Sequence, residues 1–252
     1  MSQEYLLETR HLYKDFKGFT AVCNVSLKVR KGTIHALIGP NGAGKTTCFN
    51  LITKFLQPTK GQIFYRGQDI TRMAPADIAR MGMVRSFQIS AVFLNLSVLE
   101  NVRLALQRKL GKHFHFWRSD RLLHGLHQKA FDLLDAVGLR EYADKKASEL
   151  PYGRKRALEI ITTLALEPDM LLIDEPMSGM AREDIGRISA LIRQVAADRT
   201  VLMVEHNLSV VADLSDFITV LHNGQILAEG TYAQVSEDPV VIEAYMGTGH
   251  DG

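Results

Sequence analysis

The chain predicts an α/β protein with a parallel sheet, interrupted by a helical insertion. Apolar runs of strand length alternate with helical stretches towards both ends of the sequence, and a long segment between them carries helical periodicity alone. With 252 residues, 46% apolar and 23% charged, the composition is that of one large globular domain, or one domain with a subdomain.

In the first third, Val25, Leu27 and Val29 alternate with polar residues, Lys31-Gly32 turns the chain, and Ile34 to Ile38 reads as a buried strand. A helix is predicted from Lys45 to Leu56, stopped by Pro58, and a strand from Gly61 to Arg66 leads into Gly67. From about Val98 the period becomes helical: Leu99, Val102 and Leu106, then Ala130, Leu133, Leu134 and Val137, after which Gly138 ends the run. The insertion spans roughly Gln88 to Glu149. Helix and strand then alternate again, with helices from Arg154 to Leu166 and Asp184 to Ala197 and strands from Met170 to Ile173 and Val201 to Val204. Near the end, Phe217 to His222 and Gln225 to Ala228 flank Asn223-Gly224, a dipeptide that suits a tight hairpin.

Lys and Arg number 30 against 28 Asp and Glu, so no overall basic field selects nucleic acid as a partner. Cys23 and Cys48 have no CxxC spacing and read as buried spacers in a reducing compartment. No stretch approaches the roughly 18 apolar residues of a membrane span, which points to a cytoplasmic chain able to dock on a membrane protein. His113, His115, His124 and His127 stand at HxH and HxxH spacing, but no carboxylate or cysteine completes a metal set on a defined scaffold. That segment reads as an exposed edge, with Phe114, Phe116 and Trp117 available for an apolar contact.

The stretch GPNGAGKTT, Gly39 to Thr47, fits G-x-x-x-x-G-K-[ST], a match with roughly one chance in a hundred of arising somewhere in a chain this long. It follows the strand Ile34 to Ile38 and opens a helix, as phosphate binding requires. Gly39, Gly42 and Gly44 let backbone N–H groups approach phosphates, and the helix N-terminus adds partial positive charge. Pro40, Asn41, Ala43 and Thr47 complete the loop; Lys45 is expected at the β- and γ-phosphates, and the Thr46 hydroxyl on Mg²⁺. Asp174 and Glu175 close the apolar run from Met170, at the strand end where α/β sheets bind ligands. Asp174 is the candidate to help hold Mg²⁺, and Glu175 to orient or deprotonate an attacking water. His206, in VEHN, ends another strand; it is either a satisfied structural histidine or a donor to a γ-phosphate oxygen.

In this order stand GPNGAGKTT, Gln88 in VRSFQ, LPYGR (Leu150 to Arg154), MLLIDEP, SGMA (Ser178 to Ala181) and VEHN, and over nearly its whole length the chain resembles the ATP-binding subunits of ABC transporters. VRSFQ, LPYG followed by RALEI, and the C-terminal EAYMG are similar to the ATPase subunits of branched-chain amino acid importers. The resemblance implies a P-loop NTPase (RecA-like) core with an antiparallel β subdomain over 1–87 and 150–252, and an inserted helical subdomain over 88–149. It also implies ATP and Mg²⁺, transmembrane permease subunits, a second ATPase subunit, a substrate-binding protein, and a place on the inner face of the cell membrane.

Position by position, the resemblance assigns Phe16 to stacking on adenine, with Tyr13 its rival, Gln88 to Mg²⁺ or water and to reporting to the permease, and His206 to the γ-phosphate. Gly153 and Arg154 would close the site of a partner subunit in trans. Two positions depart from the family pattern: Ala181 stands where an aspartate is common, and Pro151 where the usual LSGGQ has serine. Proline suits a first helical turn but brings neither hydroxyl nor N–H. The phosphate grip would therefore shift to backbone amides and to Arg154, whose charge near a helix N-terminus becomes favourable once an anion is there.

Overall fold

The computed structural model describes residues 5–86, 92–108 and 120–246. In chain order come β1 (Tyr5–Phe16), β2 (Phe19–Val25), β3 (Lys28–Arg30), β4 (Ile34–Ile38), α1 (Lys45–Ile52), β5 (Lys60–Tyr65), β6 (Gln68–Asp69), α2 (Pro75–Arg80) and β7 (Met83–Ser86). Three helices follow, α3 (Val98–Arg108), α4 (Asp120–Ala136) and α5 (Tyr152–Leu164). The chain ends through β8 (Met170–Asp174), α6 (Arg182–Ala196), β9 (Thr200–Val204), α7 (Leu208–Leu214), β10 (Phe217–His222), β11 (Gln225–Gly230), α8 (Tyr232–Ser236) and α9 (Pro239–Met246).

Two compact units result: Met1–Arg85 with Asp169–Pro176 and Ala196–Gly252, and Ser86–Pro168 with Met177–Val195. Residue 150 lies inside the second unit, where α5 packs on α3 and α4.

The first unit holds a six-stranded sheet in the order β11-β10-β4-β9-β8-β7. β10, β4, β9 and β8 are parallel neighbours, and β11 returns antiparallel to β10. β4 and β9 are buried at every position, as strands covered on both faces must be, which is why they read as continuous apolar runs. Registers pair Leu37 with Val204 and Val204 with Asp174, so β4, β9 and β8 end level at one edge. His35 is the polar exception within β4. Its Nε2 donates to Thr219 Oγ1 at 2.8 Å, and Thr219 donates onward to Glu229 Oε1 at 2.7 Å. Burial, reinforced by Arg30, lowers its pKa to about 4, so the ring is neutral at physiological pH.

A second, antiparallel sheet runs β2-β1-β5-β6, with β3 also on β1. β1 escapes sequence reading because register shifts between Leu12, Lys14 and Asp15 against β2 break its alternation. Leu7, Leu12, Val29, Ile63 and Tyr65 from this sheet share one core cluster with Leu37, Leu172 and Leu202 of the other and with Phe49, Leu51 and Ile52 of α1. Each such fully buried side chain contributes roughly 1.5–3 kcal/mol relative to exposure, so α1 is held firmly beneath the residues it presents at its N-terminus. α1 stops at Ile52, short of the expected Leu56: Thr53 Oγ1 donates back to Phe49 O at 2.8 Å and Lys54 turns to φ 63°.

In the second unit, Ser97 and Glu100 form a reciprocal capping box on α3, and the 3% exposed Asn101 donates to Phe93 O and Ser97 O. α5 buries an ion pair, Arg156 Nη1 to Glu159 Oε2 at 2.5 Å with side chains 5% and 0% exposed. Burial pushes the Glu159 carboxyl up to about 7, against the pull of Arg156. Among the described residues no helix is long and apolar enough to cross a membrane.

Candidate active site

β4 delivers the chain to Gly39, and α1 takes over at Lys45. Gly44 caps α1 in the left-handed conformation, φ 96°, with no side-chain cap over the first N–H groups. A Cβ at Gly39 would stand 2.1 Å from Leu221 O and one at Gly44 2.5 Å from Ala21 O, whereas at Gly42 it would meet nothing within 4 Å. The glycine requirement is thus divided. Gly39 and Gly44 admit the protein's own backbone, and Gly42 leaves the mouth of the loop clear.

The hairpin between β10 and β11 helps to hold the loop. Asn223 and Gly224 take φ 48° and 76°, the two positive values a type I′ turn needs, and Gly224 N–H donates to Ala43 O at 3.0 Å. A glycine-rich loop that is open at Gly42, leads into an uncapped helix N-terminus and has the Lys45 ammonium against its carbonyls fits a polyphosphate.

Lys45 is 9% exposed, and its Nζ donates to Gly39 O at 2.7 Å and Pro40 O at 2.9 Å. Burial lowers its pKa, while Glu175 and Asp174 pull it back up. Both carboxylates therefore act electrostatically on the ammonium from the end of β8. Cys48, one turn further on, is fully buried and its thiol is pushed up to about 12, an inert spacer as expected; Cys23 is only partly buried.

Asp174 and Glu175 differ in setting. Asp174 Oδ2 accepts from Arg85 Nη2 at 2.7 Å, with side chains 14% and 15% exposed. Glu175 leaves the strand at φ 44°, a left-handed value uncommon outside glycine, and its N–H donates to Val204 O at 2.9 Å. Arg85 is the residue that sequence reading missed. The available signal was a lone charge inside the apolar strand Met83–Ser86.

His206 follows β9 with its side chain 59% exposed. Its backbone is pinned from both sides: the wholly buried Glu205 accepts from His206 N at 2.9 Å and Asn207 N at 3.0 Å, and Asn207 caps α7 by accepting from Ser209 N and Val210 N. A fixed turn thus carries an exposed ring at the same sheet edge as the loop and the carboxylates.

Phe16 lies at the end of β1, 42% exposed, with Lys14 Nζ 5.1 Å from its ring centroid; Tyr13 is half-buried. In the second unit, Pro151 caps α5, Gly153 is buried, and a Cβ on Gly153 would stand 2.2 Å from Asp184 Oδ2. Arg154 does not extend from the helix start: its guanidinium lies 4.0 Å from the Tyr142 centroid, and Nη1 is 3.5 Å from Glu141 Oε1. Gln88, His113, His115, Phe114, Phe116 and Trp117 lie outside the described residues, and His127 packs edge-on against Phe131 at 4.8 Å.

Comparison with known proteins agrees with this arrangement. The family described as ABC transporter matches residues 22–178, and a second, described as branched-chain amino acid ATP-binding cassette transporter, matches residues 225–251. The high-affinity branched-chain amino acid transport ATP-binding protein BraF of Pseudomonas aeruginosa is 38% identical, over 96% of this chain and 98% of that protein. LivG of Escherichia coli K12, described in the same terms, is 38% identical over 98% and 99%. The crystal structure of the ADP conformation of MJ1267, an ATP-binding cassette of an ABC transporter, superposes with a TM-score of 0.83 at 33% identity, covering 97% of this chain and 99% of that one. Sequence, fold and the order of the site residues lead to one assignment: the chain belongs to the ABC transporter family, as an ATP-binding cassette with the P-loop ATPase fold.

Proposed function

We propose that this chain is the ATP-hydrolysing subunit of an importer for branched-chain amino acids or related small polar solutes. It would act with permease subunits, a second ATP-binding subunit and a substrate-binding protein, at the inner face of the cell membrane. The observation that carries the reading is the level ending of three neighbouring parallel strands, which gathers a phosphate loop, two carboxylates and a histidine on one edge. The curated relatives and the match over residues 225–251 support the solute class.

Phosphoryl transfer to water depends on positioning and charge stabilisation more than on covalent help. The N–H groups of the loop from Gly39 to Thr47 would hold the phosphates, and Lys45 would exchange its two carbonyl acceptors for phosphate oxygens. Replacing neutral acceptors with charged ones roughly doubles the strength of those hydrogen bonds. Thr46, Asp174 and Gln88 are the residues to hold Mg²⁺, which when bound neutralises phosphate charge. Glu175 would accept from the attacking water, His206 donate to a γ-phosphate oxygen, and Phe16 stack on adenine. Gly153 and Arg154 of a partner subunit would close the site, Arg154 after leaving Tyr142.

The test uses the assembled complex in proteoliposomes, with ATP hydrolysis and ATP-driven leucine uptake as readouts. Glu175→Gln should lower both by about a hundredfold or more. An unchanged hydrolysis rate would overturn the catalytic assignment, and hydrolysis without uptake of any branched-chain amino acid would overturn the solute.

A further inference from the structure

Arg85 joins two parts of the site that the chain keeps far apart. Its Nη2 donates to Asp174 Oδ2 at 2.7 Å, and its Nη1 donates to Asn50 Oδ1 at 2.6 Å, with Thr53 Oγ1 at 3.5 Å. Its guanidinium carbon lies 5.0 Å from the Phe49 ring centroid and 5.6 Å from that of Phe55. One guanidinium thus ties the helix that begins with Lys45 and Thr46 to the strand that ends at Asp174. Bringing a charge to 15% exposure is unfavourable unless it is paired and hydrogen-bonded, and a tie between helix and strand needs no charge at all. What the charge changes is the carboxylate.

Near the loop, Asp174 and Glu175 are matched by Lys45 and Arg85, so these four groups carry no net charge before a polyphosphate arrives. We propose that Arg85 is a positioning residue that orients Asp174 against α1 through Oδ2 and weakens its hold on a divalent cation, so that the metal is retained only together with nucleotide. This rests on Asp174 as a ligand of Mg²⁺. The guanidinium occupies lone pairs of Oδ2 for which a divalent cation would compete, and its positive charge opposes a second cation beside the same carboxylate.

The test measures Mn²⁺ binding to the full chain by electron paramagnetic resonance, without nucleotide and with ADP. Without nucleotide, Arg85→Met and Arg85→Gln should bind Mn²⁺ about tenfold more tightly, about 1.4 kcal/mol of relieved charge repulsion. Arg85→Lys, which keeps the charge but not the fork, should stay within about twofold of the parent. Turnover of the assembled complex should fall in Arg85→Met and Arg85→Gln, a split between tighter metal and slower chemistry that a merely structural role would not produce. Asp174→Asn should weaken Mn²⁺ binding with ADP and cancel the gain of Arg85→Met. Unchanged or weaker Mn²⁺ binding in Arg85→Met and Arg85→Gln, with Asp174→Asn still weakening it, would overturn the inference. No effect of Asp174→Asn would overturn the ligand assignment instead. Should Arg85→Met not fold, the Gln and Lys variants, which each keep a donor for Asn50, carry the comparison.

Discussion

Gly153 opens α5 against the side chain of Asp184, and a Cβ built on it would stand 2.2 Å from Oδ2, 2.6 Å from Cγ and 3.0 Å from Cβ of that residue. Asp184 must therefore move if Gly153 becomes alanine. Overpacking of this kind destabilises by about 1–3 kcal/mol, and at roughly 2–4 °C per kcal/mol the melting temperature should drop by a few degrees. Adding Asp184→Ala removes the Oδ2 and Cγ clashes and leaves the Cβ contact at 3.0 Å, which a shift of a few tenths of an ångström relieves. Because Asp184 lies with Glu183 in the first turn of α6, that change also removes a favourable helix-dipole contact of about 0.3–1 kcal/mol, so recovery should be substantial but incomplete.

The two variants separate a local role for the glycine from one in a shared site. Melting of the full chain reports the packing, and ATP hydrolysis by the assembled complex reports the site. If Gly153 serves close approach to nucleotide bound by a partner subunit, the double variant regains stability while turnover stays low. Full return of turnover in the double variant would show that the glycine is needed only to accommodate Asp184, and the composite site would be refuted. The same geometry makes Gly153→Asp a poor test by itself, since it places a second carboxylate against the first.

His206→Ala should change folding stability by less than about 0.5 kcal/mol, since the ring is 59% exposed, yet lower turnover by about a hundredfold if it donates to the transferred phosphate. Equal losses in melting temperature and turnover would contradict that role. Two buried groups set opposite pH dependences. Glu159, raised from 4.5 to about 7, leaves the unfolded chain with fewer bound protons than the folded one, so its contribution to stability falls as pH rises through that window. His35, lowered from 6.5 to about 4, does the reverse, and its contribution rises with pH between those values. Each slope reaches about 1.4 kcal/mol per pH unit at most. Denaturant unfolding of Glu159→Gln and His35→Gln across pH 4 to 8 should remove the fall and the rise respectively; profiles parallel to that of the parent chain would refute both assignments.

The parts of the site legible in the sequence are those set by short-range rules. GPNGAGKTT between an apolar strand and a helix, the carboxylates closing an apolar run, and Asn-Gly between two strands each impose a local geometry that neighbouring residues cannot evade. The same rules failed on β1, where bulges destroy the period on which the reading depends, and on the end of α1, where Thr53 and Lys54 break the helix without a proline. LPYGR could be recognised by its place in the series, but the stacking of Arg154 on Tyr142 and the contact of Gly153 with Asp184 could not.

The sequence by itself determined which groups are available for chemistry: a phosphate loop with Lys45 and Thr46, the pair Asp174 and Glu175, and a histidine at a strand end. Tertiary structure alone decided that β9 lies between β4 and β8, which brings those groups to one edge, and that Arg85 pairs with a carboxylate 89 positions away. The physical reason is range. Turn and helix-start geometry is fixed by the φ and ψ of a few consecutive residues, whereas strand order and ion pairing are selected by burial across the whole core, where no local pattern records the partner.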